Sequence, residues 1–152
     1  MKNKKTVLVS IATVVIVCLL IGSIAMIVKK NQKKAEKEFK EYNETLVYDI
    51  YNFSPEITNS EKRASLKTRM DSQLMDQMCP PLPELNRDPS LPVNTLLNVK
   101  TETIKNETKE KIVVDTRFVI KTPNGKEYPQ KVRGEYKKKD NKWILMKIQP
   151  IN

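Results

Sequence analysis

The sequence predicts an α+β protein: an N-terminal transmembrane helix, then three helices packed on a curved, four-stranded antiparallel sheet. Three observations predict it. Thr6 to Val28 carries no charge and is mostly Val, Ile, Leu, Ala and Met. From Ala35 to Met78 apolar residues recur at steps of three and four, the period of a helix. From Val93 onward the period falls to two, in stretches rich in β-branched and aromatic residues, as in strands with one buried face.

The uncharged run, residues 6–28, is 23 residues long. At about 1.5 Å per residue it reaches about 34 Å, enough for a hydrocarbon core of about 30 Å with some tilt. A cleaved signal has an apolar region of roughly 7 to 15 residues followed by small residues. This run is longer, and Ser23 and Ala25 make only a weak cleavage site, so an uncleaved anchor is expected. Cys18 does not suit lipid attachment, because Val17 precedes it and more apolar residues follow. Lys2, Lys4 and Lys5 in the leader, residues 1–5, favour a cytoplasmic N-terminus, while Lys29, Lys30, Lys33 and Lys34 oppose it. The leader is short and free of acids, and long C-terminal domains translocate largely regardless of charge. The expected placement is a single pass through the cell membrane, with the N-terminus cytoplasmic and residues 29–152 outside as one α+β domain.

Residues 29–78 form the helical part. Ala35, Phe39, Tyr42, Leu46, Ile50 and Phe53 share one helical face, and no Gly or Pro interrupts the chain between Gly22 and Pro55. The membrane helix is therefore expected to run on into this first soluble helix. Its lysines interleave with acids, Glu36 and Lys40 standing at i, i+4, and read as interface anchors before a headgroup-binding site. The seam is too short for a sustained coiled coil, so it is expected to pack on the protein's own core. Whether Phe39 and Tyr42 face that sheet or a second copy stays open. Ser54-Pro55-Glu56 reads as a second helix start with Ser54 as cap. Asn59-Ser60-Glu61 offers another, followed by the stripe Ala64, Leu66, Met70, Leu74 and Met78 with Met75 beside it, a third helix or the rest of the second. A methionine stripe can form an adaptable partner groove, but a helix face laid on a sheet is the commoner meaning and is expected here.

Residues 79–92, CPPLPELNRDPSLP, hold five prolines, which block helix and interior strand and leave an extended connector. Only composition favours a polyproline ligand here. Residues 93–152 then supply four strand candidates, at 93–104, 111–122, 126–139 and 142–151. In the second, Ile112, Val114, Thr116, Phe118 and Ile120 share one face; in the third, Tyr128, Val132, Gly134 and Tyr136 do. Asn106 to Lys109, Pro123-Asn124-Gly125 and Asp140-Asn141 are turn chemistry short enough for hairpins, so the sheet is a meander. Lys100, Asp115, Arg117, Lys131, Arg133 and Lys147 fall on its other face, and Gly134 suggests a bulge or bend.

Composition narrows the chemistry. The net charge is +10, and residues 93–152 hold fourteen basic against seven acidic side chains. Such a surface suits anionic lipid headgroups, envelope polymers or acidic proteins, though solvated lysines are its commoner meaning. Nucleic acid is not expected as a partner, since the β half lacks the aromatic interleaving of single-strand binders. No histidine occurs, which removes the commonest general base and metal ligand. With three glycines there is no phosphate loop or dinucleotide fingerprint. Cys18 and Cys79 are too far apart in role to pair, and Cys79 has no nearby His or Cys to activate it. The carboxylates Glu102, Glu107, Glu110, Asp115, Glu127, Glu135 and Asp140 are scattered among lysines, which favours ion pairs over acid-base chemistry. No catalytic, cofactor-binding or metal-binding residue is expected, and no enzyme. Asn43-Glu44-Thr45, Asn52-Phe53-Ser54 and Asn106-Glu107-Thr108 match a glycosylation pattern that recurs by chance in Asn-rich chains.

The ending GEYKKKDNKWILMKI, two strands about a polar turn with Trp143 just after it, resembles the final hairpin of the cystatin-like, nuclear-transport-factor-like cone fold. The order of leader, span, three helices, proline-rich connector and meander resembles the assembly-factor (VirB-type) subunit of type IV secretion and conjugation systems, in its compact Gram-positive form. The Lys- and Asn-rich, His-free composition suits such a host. The resemblance rests on architecture and on no invariant motif. It implies a scaffold of the conjugation channel that contacts the lipid bilayer, other channel subunits and further copies of itself, with no catalytic residues to carry over. The competing expectation is a membrane-tethered module that binds a small ligand or envelope polymer inside the cone.

Overall fold

The computed structural model describes the backbone of residues 2–52, 54, 56–81 and 92–151, and the side chains of these from residue 23 onward. Its contacts divide into two units, Met1–Lys40 and Glu41–Asn152. The elements in order are α1 (Lys2–Tyr51), α2 (Asn59–Leu66), α3 (Ser72–Met78), β1 (Thr95–Asn106), β2 (Lys111–Lys121), β3 (Glu127–Lys139) and β4 (Lys142–Pro150). The sheet order is β1-β2-β3-β4 with every pair antiparallel, the expected meander.

In the first unit the described side chains from Ser23 to Glu38 are exposed, and Phe39 is buried. Lys40 pairs with Glu36 at 3.3 Å, one of the i, i+4 pairs that support an exposed helix. Most of the expected membrane span, residues 6–22, has side chains outside the described residues. Among the described residues no helix is long and apolar enough to cross a membrane.

In the second unit the C-terminal part of α1 lies on the sheet. Leu46, Val47 and Ile50 are buried, and Val47 joins Leu96, Phe118 and Val132 in one apolar cluster. Tyr51 and Phe118 bring their rings within 4.9 Å. Each such side chain taken from water contributes about 1.5 to 3 kcal/mol. Ala35, counted on this helical face from its spacing, is exposed, whereas Asn43 lies deep beneath it. The helix ends where Lys62 donates to the carbonyls of Ile50 (2.8 Å) and Asn52 (3.0 Å), a cation on the acceptors at the helix C-terminus.

The helix start expected at Ser54 is corrected. The Ile57 amide donates to the Ser54 carbonyl (3.3 Å), Ser54 and residues 56–58 are not helical, and α2 begins after Thr58. The reason is a completed capping box: Glu61 donates its amide to Thr58 Oγ1 (3.1 Å), while Thr58 donates its amide to Glu61 Oε2 (2.9 Å). Three residues after Ser54 stands Ile57, which cannot reciprocate. The methionine stripe then divides, because Asp71 caps a separate α3 through the amides of Gln73 (3.0 Å) and Leu74 (3.4 Å). Leu66, Met70, Leu74 and Met75 are buried as expected, while Ala64 is exposed.

Both edge strands are met at their middles by the helical half. The Thr101 amide on β1 donates to Glu44 Oε1 (2.8 Å). On β4, Leu145 donates its amide to the Arg69 carbonyl and accepts from the Asp71 amide, both at 2.9 Å. β1 carries two register shifts, at Leu97/Lys100 and Thr101/Thr103, with Asn98 at a φ of 54° beside the first. The bulge expected at Gly134 falls beside it, where Met146 is the extra residue between the pairs Tyr136↔Leu145 and Glu135↔Lys147. Gly134 is small for another reason: a Cβ there would stand 3.1 Å from Leu145 Cδ1 and 3.1 Å from Tyr136 Cε2.

One polar cluster sits inside this core. Asn43, 1% exposed, donates through Nδ2 to Thr116 Oγ1 (2.7 Å) and Thr101 Oγ1 (2.9 Å). The Tyr136 hydroxyl donates to Asn43 Oδ1 (2.5 Å). One side chain of α1 thus holds β1, β2 and β3, and burial pushes the Tyr136 phenol far above its ordinary range. Nearby, the Tyr42 hydroxyl donates to the Trp143 carbonyl at 2.6 Å, so Tyr42 faces this chain's own sheet. Replacing Asn43 by Ala removes the hydrogen bonds it makes with the Thr101, Thr116 and Tyr136 hydroxyls. Urea unfolding of N43A is expected to show a loss of about 3 kcal/mol, and Y136F a loss of about 1 to 2 kcal/mol. The two share one bond, so the double variant should lose less than the sum.

Candidate functional site

The helices cover one face of the sheet; the other face is the open one, and its side chains follow from strand alternation. Thr103, Asp115, Arg133 and Gln149 stand in one row across all four strands. Arg133 grips Asp115 with two parallel bonds, Nε to Oδ1 (2.7 Å) and the terminal nitrogen to Oδ2 (2.9 Å). These bonds hold the Asp115 carboxyl below its usual range, against the upward effect of its burial.

On one side of this row the sheet sets Lys100, Arg117 and Lys131 opposite one another, a repulsive arrangement. Glu102, the extra residue of the second β1 bulge, resolves it by reaching Lys131 Nζ (2.8 Å) and Arg117 Nε (3.2 Å). The Lys131 bond is the main reason its carboxyl sits below the ordinary range. On the other side Lys111 is paired with Glu107 (2.9 Å) and Glu135 (3.4 Å), which raise its pKa. Between these groups lies a hollow of about 370 Å³, walled by Lys105, Lys111, Asp115, Arg133, Glu135 and Gln149 among others. Its chemistry is that of alternating, mutually satisfied charge, suited to a polar partner surface or a ligand carrying both signs.

The β3–β4 hairpin ends this face. Its two-residue turn, Asp140-Asn141, has φ of 49° and 60°, the left-handed conformations a tight hairpin requires. The register places Lys139 opposite Lys142 and Lys137 opposite Lys111. Like charges so placed oppose pairing by a few tenths to about 1 kcal/mol. Lys138 Nζ lies over the ring of half-buried Trp143, 5.8 Å from its centre.

A second hollow, of about 180 Å³, lies between the end of α1, the start of α2 and Cys79-Pro80, with Tyr48 and Ile57 exposed on its rim. Cys79 is buried there and its thiol donates to Asn59 Oδ1 (3.0 Å). Arg63 holds the Cys79 carbonyl and Asp76, the latter at 2.6 Å. Most of the proline-rich connector, residues 82–91, lies outside the described residues.

The six charged residues assigned to the open face from sequence do lie there, and two of them, Asp115 and Arg133, form its central pair. Glu102, one of the carboxylates expected in ion pairs, pairs with Arg117 and Lys131 from the second β1 bulge, where it stands opposite no residue of β2. Among the described residues no group of three or more His, Cys, Asp or Glu side chains is placed to hold a metal ion. Of the glycosylation triplets, Asn43 is buried with its amide committed, Asn106 is exposed at the end of β1, and the triplet at Asn52 includes Phe53, which lies outside the described residues. Comparison of the chain with family models, with curated proteins and with solved structures finds no match.

The Asp115–Arg133 pair makes a pH-dependent prediction. The folded pKa of Asp115 is below its ordinary 3.8, so the pair stabilises the fold above that pH and stops doing so as pH falls through the depressed value. Unfolding midpoints of wild type and R133A should therefore differ most near neutrality and converge in acid.

Proposed function

We propose that this chain is a membrane-anchored structural subunit of a type IV secretion, or conjugative DNA transfer, channel, acting by protein–protein contacts. The layout carries the reading. An uncharged run of 23 residues lies within α1, and the chain goes on to an α+β unit whose open sheet face is laid with satisfied ion pairs. Ile24, Met26, Ile27 and Val28, the described end of that run, are all exposed, which suits side chains that face lipid. Helices on one face of a bulged, four-stranded meander suit the cystatin-like, nuclear-transport-factor-like cone. In this reading the N-terminus is cytoplasmic, the α+β unit extracytoplasmic, and the partners are further copies of the chain and other channel subunits. No catalytic residue, cofactor or metal is assigned.

The test is made in a conjugative Gram-positive host. The full chain should stay with membranes through alkaline carbonate and leave them only in detergent, where it should cross-link to itself and co-purify with channel proteins. Charge reversal on the open face (K100E with R117E) should lower transfer frequency about tenfold or more without releasing the chain from the membrane. A carbonate-extractable, strictly monomeric chain that binds none of them would sink the reading.

The hollow beside Arg133 favours a second reading, a tethered module for a small ligand or envelope polymer. A ligand that raises the melting temperature of wild type and not of K105A would favour it over the scaffold.

A further inference from the structure

We propose that the tip of the β3–β4 hairpin docks on an anionic lipid surface through Lys137, Lys138, Lys139 and Lys142, with Trp143 seated at headgroup level. The inference rests on the membrane-anchored reading above and adds a contact that reading does not require.

Elsewhere on the sheet, like charges that face one another across strands are reconciled within the protein: Glu102 reaches Arg117 and Lys131, and Glu107 and Glu135 flank Lys111. At the tip nothing similar happens. Lys139 faces Lys142 across the last pair of the ladder, and among the described residues no ion pair joins Lys137, Lys139 or Lys142. The acids of this end are Glu107 and Glu135, held by Lys111, with Glu110 in the β1–β2 turn and Asp140 in the hairpin turn itself. A local rule broken without internal compensation marks a place where compensation comes from outside.

Trp143 decides between kinds of anion. It is the protein's one tryptophan, half-buried one ladder pair behind Lys139 and Lys142, with the Lys138 ammonium over its ring. An indole beside lysines is the combination that settles at a bilayer interface, with its ring among the acyl boundary groups and its cations among the phosphates. An inorganic polyanion would use the lysines without burying the indole, and a single strand would need further aromatic platforms beside it, which this sheet lacks. Within this unit the Tyr42 hydroxyl donates to the Trp143 carbonyl at 2.6 Å. In sequence, Tyr42 follows the last residue of the proposed anchor, Val28, by fourteen positions.

The single tryptophan makes the test direct. The full chain is inserted into nanodiscs of phosphatidylcholine alone, or of phosphatidylcholine with phosphatidylglycerol, and Trp143 emission is followed with lipids brominated near the headgroup. Anionic discs should shift the emission to the blue and quench it, and high salt should reverse both. Lys near an anionic surface is worth about fivefold in partitioning, so K139Q/K142Q should cut the phosphatidylglycerol-dependent quenching at least about fivefold while melting as wild type does. A chain that inserts but shows the same emission in both discs overturns this proposal and leaves the anchor standing. A chain that does not insert overturns both. If polyphosphate or single-stranded DNA moves the emission in neutral discs and phosphatidylglycerol does not, the surface serves a soluble polyanion and the lipid assignment is wrong.

Discussion

Asn43 is the point on which the folded unit turns. It is a polar residue on the apolar face of a helix, and its amide spends both ends on the sheet: the nitrogen on Thr101 and Thr116, the oxygen on Tyr136. Leu46, Val47 and Ile50 fix which face of α1 turns inward, but apolar burial is non-directional and discriminates less sharply between small shifts along the strands than a hydrogen bond does. A buried amide is not indifferent. Moving α1 by one residue breaks the bonds among three buried hydroxyls and an amide, each costing about 1 to 3 kcal/mol if left unmade. A single buried asparagine fixing the register of packed helices in coiled coils is the same device.

That constraint reaches the other face of the sheet. Strand alternation means that seating Thr101, Thr116 and Tyr136 inward also fixes Lys100, Asp115, Arg117, Glu135 and Lys137 outward. The open face inherits its charge pattern from the core. Where the inherited pattern set cations side by side, a bulge in β1 delivered Glu102 between them. At the hairpin tip, among the described residues, no ion pair offsets Lys139 against Lys142.

Much of the fold was legible because period-two patterning and turn chemistry agree along residues 93–152. The faces of β2 and β3 read from alternation alone are those observed. The helical half was less legible for two physical reasons. The helix start depends on reciprocal capping, and Thr58 with Glu61 outcompetes Ser54 with Ile57, a contest that single-residue propensity does not reveal. The core position of Asn43 was hidden by its polarity, although its spacing, four residues after Phe39 and three before Leu46, put it on the stripe. The candidate site was legible in membership and not in pairing. Its six charged residues could be placed on one face, but the partner of Arg117 and Lys131 was set by a bulge that no local signal announces.

The two edge contacts bear on how copies of this unit can meet. A four-stranded sheet normally offers two rows of unpaired backbone groups to any strand that approaches. Here Glu44 occupies the Thr101 amide midway along β1, and Arg69 and Asp71 occupy Leu145 midway along β4. A second sheet arriving edge-on would have to break these contacts before it could zip. Growth by continuous strand addition, which has no natural stopping point, is closed to this unit. Any association of this unit would then run through its faces and side chains and not through its sheet edges.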